Sequence, residues 1–376
     1  MAAPPLRVLV LNERDPSHPR AGGAEVHLAE LAPRLAARGI ALTQLACRFG
    51  AAAGRERVGA IEVRRVAALP CYYPRAALAC ARATRRGDFD LVLEVLCKLP
   101  FYSPLYSAVP VLCVLHHFLG RTAFLQAAWP LAALVVAAES GVARCYRSPP
   151  FVVGSQSSRL DLLRRGVADE RIRVIPYGTR RAAGARPGAA RARYRVVYVG
   201  RLEPYKRIGV LLRAAARLAP RFPALELVIA GRGSDRARLE RLAGELGVSE
   251  RTRFAGFVSD AERDALLASA RVCVQPSQKE GFGLSVIEAN AFGVPVVASD
   301  SDGLRDALRD GETGFLAPPG DAARFAQHLA ALLEDDALHA RMAAAAERHA
   351  AGFDWDRAAE ALAEALTALA VRGPRA

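Results

Sequence analysis

With 376 residues, 52% of them hydrophobic, the chain is long enough for two domains with large cores and too apolar to be disordered. Its formal net charge of +14 admits nucleic acid or an anionic membrane surface as a partner, but all except three of its 52 lysines and arginines are arginine, so a chain-wide compositional bias explains the charge equally well. The seven cysteines form no C-x-x-C pair and no Cys/His metal spacing; they sit mostly in apolar runs, as buried thiols do in a reducing cytosol. Residues 1–5 lead straight into a strand, so no signal peptide is expected. The longest apolar stretch, residues 124–138, contains Pro130 and is shorter than the roughly 18 residues of a spanning helix. The expectation is a soluble or membrane-surface protein of the cytoplasm.

From the N-terminus, residues 7–11 (R-V-L-V-L) are a continuous apolar strand of the kind buried in a parallel sheet. After a polar loop, Gly22-Gly23-Ala24-Glu25 opens a helix carrying Leu28, Leu31 and Leu35 and ended by Gly39; Pro33 inside it predicts a kink or a split. Glycines at a first strand-to-helix turn let phosphate approach the backbone, although the spacing is not G-x-G-x-x-G and supports no dinucleotide fingerprint. Residues 42–47 and 61–66 read as strands. Residues 72–86 set Tyr72 and Tyr73 ahead of Arg75, Arg82, Arg85 and Arg86 among alanines, either a basic amphipathic helix for an anionic lipid surface or an arginine-rich exterior. Residues 91–96 and 111–115 are further buried strands. The second ends in His116-His117, at the carboxyl end of a parallel strand where α/β proteins bind ligands. Strands at 151–155 and 172–175, the latter running into P-Y-G-T, close the first half.

Residues 180–193 are rich in Gly, Ala and Arg with no apolar period and read as a linker. The βα series then restarts with a strand at 195–199 and the turn G-R-L-E-P-Y-K-R. Arg201 and Lys206 there can hold two phosphates from opposite sides, and Lys206 stands out in a chain that almost never uses lysine. Residues 225–230 form a strand ending in G-R-G, and residues 254–258 a strand and loop. Residues 272–274 are a short buried strand, ended by Pro276 and Ser277. Gly281 and Gly283 bracket Phe282, and a helix with Leu284, Ile287 and Ala291 at helical spacing follows, before a returning strand at 295–299. A glycine loop opening a helix presents free N–H groups to an anion. Glu280 precedes the loop and Glu288 lies one turn into the helix, where a carboxylate can accept both hydroxyls of a ribose; the pattern suggests a nucleotide carrying a sugar. Phe353-Asp354-Trp355-Asp356 precedes a last helix with Leu362, Leu366 and Leu369.

Glu280 and Glu288, spaced E-x7-E around G-F-G-L, resemble the signature of the retaining glycosyltransferases of family 4. The resemblance implies the α/β GT-B fold: two Rossmann-like, doubly wound parallel-sheet domains facing a central cleft. It divides the chain into an acceptor-side domain at 1–178, a linker at 179–193 and a nucleotide-sugar domain at 194–354, with the helix 355–371 packing back on the first domain. By the same resemblance Gly23 faces the donor diphosphate, Arg201 and Lys206 neutralise it, and Gly281, Phe282, Gly283 and Leu284 cradle it. Glu288 holds the ribose, Glu280 the donor sugar hydroxyls, and the backbone near Phe257 pairs with the base. A His or Asp after the strand 111–115 contacts the donor sugar; either histidine can align, and His116 is chosen. The family's usual V-I-P-N-G-V-D is replaced at Tyr177 and at Thr179-Arg180, so the roles of that Asn and Asp do not carry over.

The resemblance implies a metal-independent transferase, with no cofactor, that moves a sugar from a UDP- or GDP-sugar to a hydroxyl acceptor, a glycan, glycolipid or polysaccharide precursor. The basic surface tilts the acceptor towards a lipid-linked one at the inner face of a membrane, and no nucleic-acid partner is expected. The triplets Asp300-Ser301-Asp302 and Asp354-Trp355-Asp356 do not follow an early strand, as the metal motif of the GT-A fold would require. A nucleotide-sugar-binding protein without turnover, or another enzyme on this scaffold such as an epimerase or phosphorylase, are the alternatives.

Overall fold

The computed structural model of the chain describes residues 4–96, 99–179 and 192–371. The chain forms two compact units, Met1–Gly178 with Trp355–Ala376, and Thr179–Asp354. The expected linker falls, over 180–191, outside the described residues, as does Arg180.

The first unit is built on eight strands: β1 (Leu6–Leu11), β2 (Ile40–Cys47), β3 (Arg55–Val58), β4 (Ile61–Ala67), β5 (Leu91–Leu96), β6 (Val111–Leu115), β7 (Phe151–Val153) and β8 (Ile172–Val174). They run in the order β3-β4-β2-β1-β5-β6-β7-β8, parallel throughout except for the β3–β4 hairpin. The centre of the sheet is covered on both faces, which is why β1, β5 and β6 are made mostly of valine and leucine. Helix Gly23–Ala36 buries Leu28, Leu31 and Leu35. The last helix, Trp355–Val371, buries Leu362 and Leu366 and packs against it, with Arg34 Nε bonded to Asp356 at 2.8 Å. Pro33 does not split the first helix. It sits in the last turn, where its missing N–H costs a single hydrogen bond near a frayed end.

The second unit holds β9 (Arg195–Val199), β10 (Glu226–Ala230), β11 (Thr252–Gly256), β12 (Val272–Gln275), β13 (Val296–Ser299) and β14 (Gly314–Ala317), all parallel, in the order β11-β10-β9-β12-β13-β14. Its core joins Val196, Tyr198, Leu211, Ile229, Val274 and Phe325. In each unit the strand order reverses beside the first strand, between β1 and β5 and between β9 and β12. Loops leaving two such neighbours go to opposite faces of the sheet and open a crevice at their carboxyl ends, where doubly wound folds bind ligands.

The strand bounds differ in places from those the sequence predicts, and the run 172–175 ends at Val174. The run 151–155 stops at Val153, because Ser155 caps the helix Gln156–Arg164 by accepting from the Ser158 N–H at 3.1 Å. The run 254–258 instead forms Thr252–Gly256; Gly256 has φ +71°, which turns Phe257 onto the loop. β3 was not anticipated: R-E-R-V is a short, half-exposed edge strand with no apolar run to reveal it.

Candidate functional site

The crevice of the second unit is formed by the loops after β9, β10, β12 and β13, and they are tied together through their backbones. The Gly200 N–H donates to Ala230 O at 3.0 Å and the Leu202 N–H to Arg232 O at 2.9 Å, which joins the loop after β9 to the loop after β10. The Gln278 N–H donates to Tyr205 O at 2.9 Å, and the Glu280 N–H to Asp302 O at 3.1 Å. Gly303, at φ +79°, lies so close beneath that a Cβ on it would run into the Glu280 carbonyl. The loop bearing Glu280 is thus held from both sides before any ligand arrives.

On this frame Lys206 and Glu280 meet in a hydrogen-bonded ion pair, both side chains largely buried. Lys206 closes a 3₁₀ turn, Pro204–Lys206, and the next residue, Arg207, takes the left-handed conformation (φ +50°), unusual for a residue with a Cβ and a form of strain that clusters at functional sites. Arg201 donates to the Tyr205 hydroxyl at 2.6 Å, and the Tyr205 ring lies 5.4 Å from the Lys206 ammonium. Gly283, at φ +90°, turns the chain into the helix Leu284–Ala291. Phe282 is buried edge-on against Phe353, so it shapes the loop from within. Glu288 lies one turn into the helix, 3.6 Å from Arg263 on the helix Asp260–Ser269. Phe257 is exposed, with the Arg232 guanidinium 5.2 Å from its ring.

Sequence reasoning missed several of these neighbours. Tyr205 stands inside the quoted turn, yet only the fold turns its ring and hydroxyl onto the two cations. Arg263 lies on a helix, Asp260–Ser269, that no glycine or rare residue marks in the sequence. Gln275, Ser277 and Ser299, at the ends of β12 and β13, carry buried side-chain oxygens without a hydrogen-bond partner among the described residues. Polar atoms of that kind are costly to bury and mark a place where a ligand or water completes the bonding.

The carboxyl end of the first unit's sheet differs in character. Glu25 turns back so that its carboxylate accepts the Gly22 N–H at 2.6 Å, placing a negative charge at the N-terminus of the helix that begins at Gly23. His116 is buried, and its Nδ1 is hydrogen-bonded to the Tyr177 hydroxyl. Burial, with His27 and His117 adding to it, holds His116 well below the usual histidine range, and burial pushes the Tyr177 phenol up. The pair is therefore neutral at ordinary pH. His27 packs against His116 and Tyr177, with centroids 5.2 and 4.4 Å away, and Trp355 stacks on Tyr177 at 6.2 Å. Burial drives His27 down to about 3. His117, next to this cluster, is half-buried.

The departure at Tyr177 thus has a structural content. The larger ring fills the space between His27, His116 and Trp355, and Gly154 beside it leaves no room for a Cβ. Among the described residues no group of three or more His, Cys, Asp or Glu side chains is arranged to hold a metal ion. Asp300 pairs with Arg305 at 2.6 Å and Asp356 with Arg34.

Residues 21–183 match the family model described as Glycosyltransferase Family 4, and residues 183–349 the model described as Glycosyl transferases group 1. A protein named D-inositol 3-phosphate glycosyltransferase from Thermomonospora curvata is 31% identical over 406 residues, covering 92% of this chain and 90% of that one. The chain belongs to glycosyltransferase family 4. A relative of the same name from Nocardia farcinica is 40% identical over 223 residues, covering 57% of this family 4 chain, which spans about half (49%) of that relative's length. Among solved structures, sucrose-phosphate synthase from Thermosynechococcus elongatus superposes with a TM-score of 0.80 at 24% identity, covering 97% of this chain and 99% of that one. Anabaena HepE in complex with UDP-glucose gives 0.75 at 20% identity, covering 96% and 100%. The fold is GT-B.

Proposed function

We propose that this family 4 member is a retaining glycosyltransferase that moves a sugar from a nucleotide-sugar to a hydroxyl acceptor without a metal. The observation that carries the reading is the meeting of Lys206 and Glu280 at the reversal point of the second sheet, on loops whose backbones brace each other. A cation and a carboxylate there suit the two halves of a sugar diphosphate: Lys206 with Arg201 takes the phosphates, and Glu280 takes hydroxyls of the sugar. Gly281, Phe282, Gly283 and Leu284 bring the positive end of a helix to the same diphosphate, and Glu288 accepts the ribose hydroxyls. By the family resemblance Gly23 contacts the diphosphate, His116 helps to position the donor sugar, and the backbone at Phe257 meets the base.

In the reaction the bond between the sugar C1 and the diphosphate oxygen breaks, and a bond from the acceptor oxygen to C1 forms on the same face. The acceptor proton passes to the leaving phosphate oxygen. Arg201, Lys206 and the helix terminus stabilise the charge that grows on that phosphate, a contribution of the kind worth on the order of 10²–10³ in turnover. The UDP-glucose bound by HepE makes uridine the first base to try, and the names of the relatives put D-inositol 3-phosphate first among acceptors. Lipid-linked glycans follow. Four of the described cysteines are buried in apolar surroundings, which suits a cytoplasmic enzyme.

The test is a thermal-shift panel with UDP, GDP, ADP and their sugar conjugates, with a chelator present. A ligand at about a hundred times its Kd adds about 2.7 kcal/mol of stability. One nucleotide series raising Tm, followed by transfer to an acceptor in the chelator, is the expected result. No shift with any of them at millimolar concentration would sink the reading; binding with neither hydrolysis nor transfer would favour a binding protein without turnover.

A further inference from the structure

The first unit carries an apolar hairpin that the transferase chemistry does not use. Residues 120–125 form a 3₁₀ segment that folds against the helix Trp129–Ser140, and Ala123, Ala132 and Val135 meet on its inner side. Its outer side is bare: Trp129 is 73% exposed, Leu134 56%, and Phe124, Leu125 and Leu131 each more than 40%. Large apolar side chains grouped in one segment of a folded chain mark a contact surface. The hairpin is not a frayed loop, because its base is locked. Glu139 is buried and its carboxylate accepts the Leu119 N–H at 2.6 Å and the Gly120 N–H at 2.8 Å, while the Thr122 hydroxyl donates to Leu119 O at 2.6 Å.

Charge says what the surface meets. Between residues 119 and 147 the only acid is this buried Glu139, whereas Arg121, Arg144 and Arg147 are exposed. A second copy of the chain, related by a two-fold axis, would set these arginines against their own counterparts. An anionic bilayer satisfies both features, with the arginines at the headgroups and Trp129, Phe124 and the leucines at the boundary below them. The helix has 12 residues, about 18 Å at about 1.5 Å each, and a hydrocarbon core is about 30 Å thick, so it lies in the interface and does not cross. No helix among the described residues is long and apolar enough to cross a membrane.

We propose that the hairpin from Phe124 to Leu134 is a docking surface for an anionic membrane, seated at the headgroup boundary. The proposal stands apart from the transferase reading, because the hairpin contains none of the residues assigned to the donor.

The test uses the full chain with vesicles of phosphatidylglycerol and phosphatidylcholine, and with phosphatidylcholine alone. The chain has two tryptophans and Trp355 is buried, so a blue shift of tryptophan emission on adding vesicles reports Trp129 directly. Sedimentation with the anionic vesicles, weakened by salt and accompanied by that blue shift, is expected. Trp129→Ser with Leu134→Ser should weaken it by about tenfold or more, since each change removes a large buried apolar contact. Both positions are exposed, so Tm and the nucleotide-induced shift should be unchanged. Equal sedimentation of wild type and variant, or none with either, would overturn the proposal. A concentration-dependent dimer lost in the double variant would assign the surface to a second copy, and would overturn it as well.

Discussion

The two units share a topology and differ in what they place at its reversal point. In the second, the loops after β9 and β12 carry Arg201, Lys206 and Glu280, opposite charges held close on braced backbones. In the first, the equivalent sheet end carries Glu25 folded onto its own helix terminus and a neutral packing of His27, His116, Tyr177 and Trp355. One end gathers opposite charges and the other buries neutral rings. The lesson is that a doubly wound sheet fixes where a ligand goes, while the few side chains on its loops decide the ligand's charge.

The sharpest way to break this contrast is to remove the charges of the second unit. Lys206→Ala and Glu280→Ala should each lower turnover about a hundredfold, and the double variant should lose less than the product of the two, because either single change strands a half-buried partner. Steady-state transfer assays on the four proteins check this. A loss below about tenfold, about 1.4 kcal/mol of barrier, in both single variants would remove the pair from the mechanism.

The next test addresses the neutral end. His27 is held at about 3, far below its ordinary 6.5, so the folded state favours the uncharged ring. Its contribution to stability is complete above about pH 6.5 and is lost as pH falls towards 3, amounting to about 2 kcal/mol already at pH 5. Urea midpoints at about pH 7.5 and 5 should therefore diverge, and His27→Gln should shrink the difference. An unchanged slope would mean that acid acts elsewhere.

Smallest is Tyr177→Phe. It deletes the hydroxyl on His116 and keeps the ring stacked on Trp355, so about 1 kcal/mol of stability should go, with turnover within a few-fold of wild type. A large fall in turnover with unchanged Tm would instead make the His116–Tyr177 pair part of the chemistry.

Much of this was legible in the sequence. Strands 91–96, 111–115 and 195–199 stand as expected because buried parallel strands leave continuous apolar runs. The loop residues Arg201, Lys206 and Glu280, and Glu288 on the helix that follows, could be picked out because glycines and a rare lysine marked them. What stayed hidden depended on distant partners. Glu94 reads as one acid in an apolar strand, yet it is buried and accepts from the Phe101 and Ser103 N–H groups and the Tyr146 hydroxyl, partners 7 to 52 positions away. Tyr177 reads as a departure from a motif, and only the fold supplies the histidine that its hydroxyl meets. Arg263 lies 25 residues before Glu288, a separation no helical periodicity reveals.

The Lys206–Glu280 pair also bears on how a turnover ends. On the roles proposed above, a donor binds by exchanging partners: phosphate replaces the carboxylate at Lys206, and sugar hydroxyls replace the ammonium at Glu280. After transfer the diphosphate remains and the sugar has gone. On those roles Glu280 faces the ammonium again once the sugar has left, and the pair re-forms at the expense of the spent nucleotide. The same contact would thus act as a spring for product release.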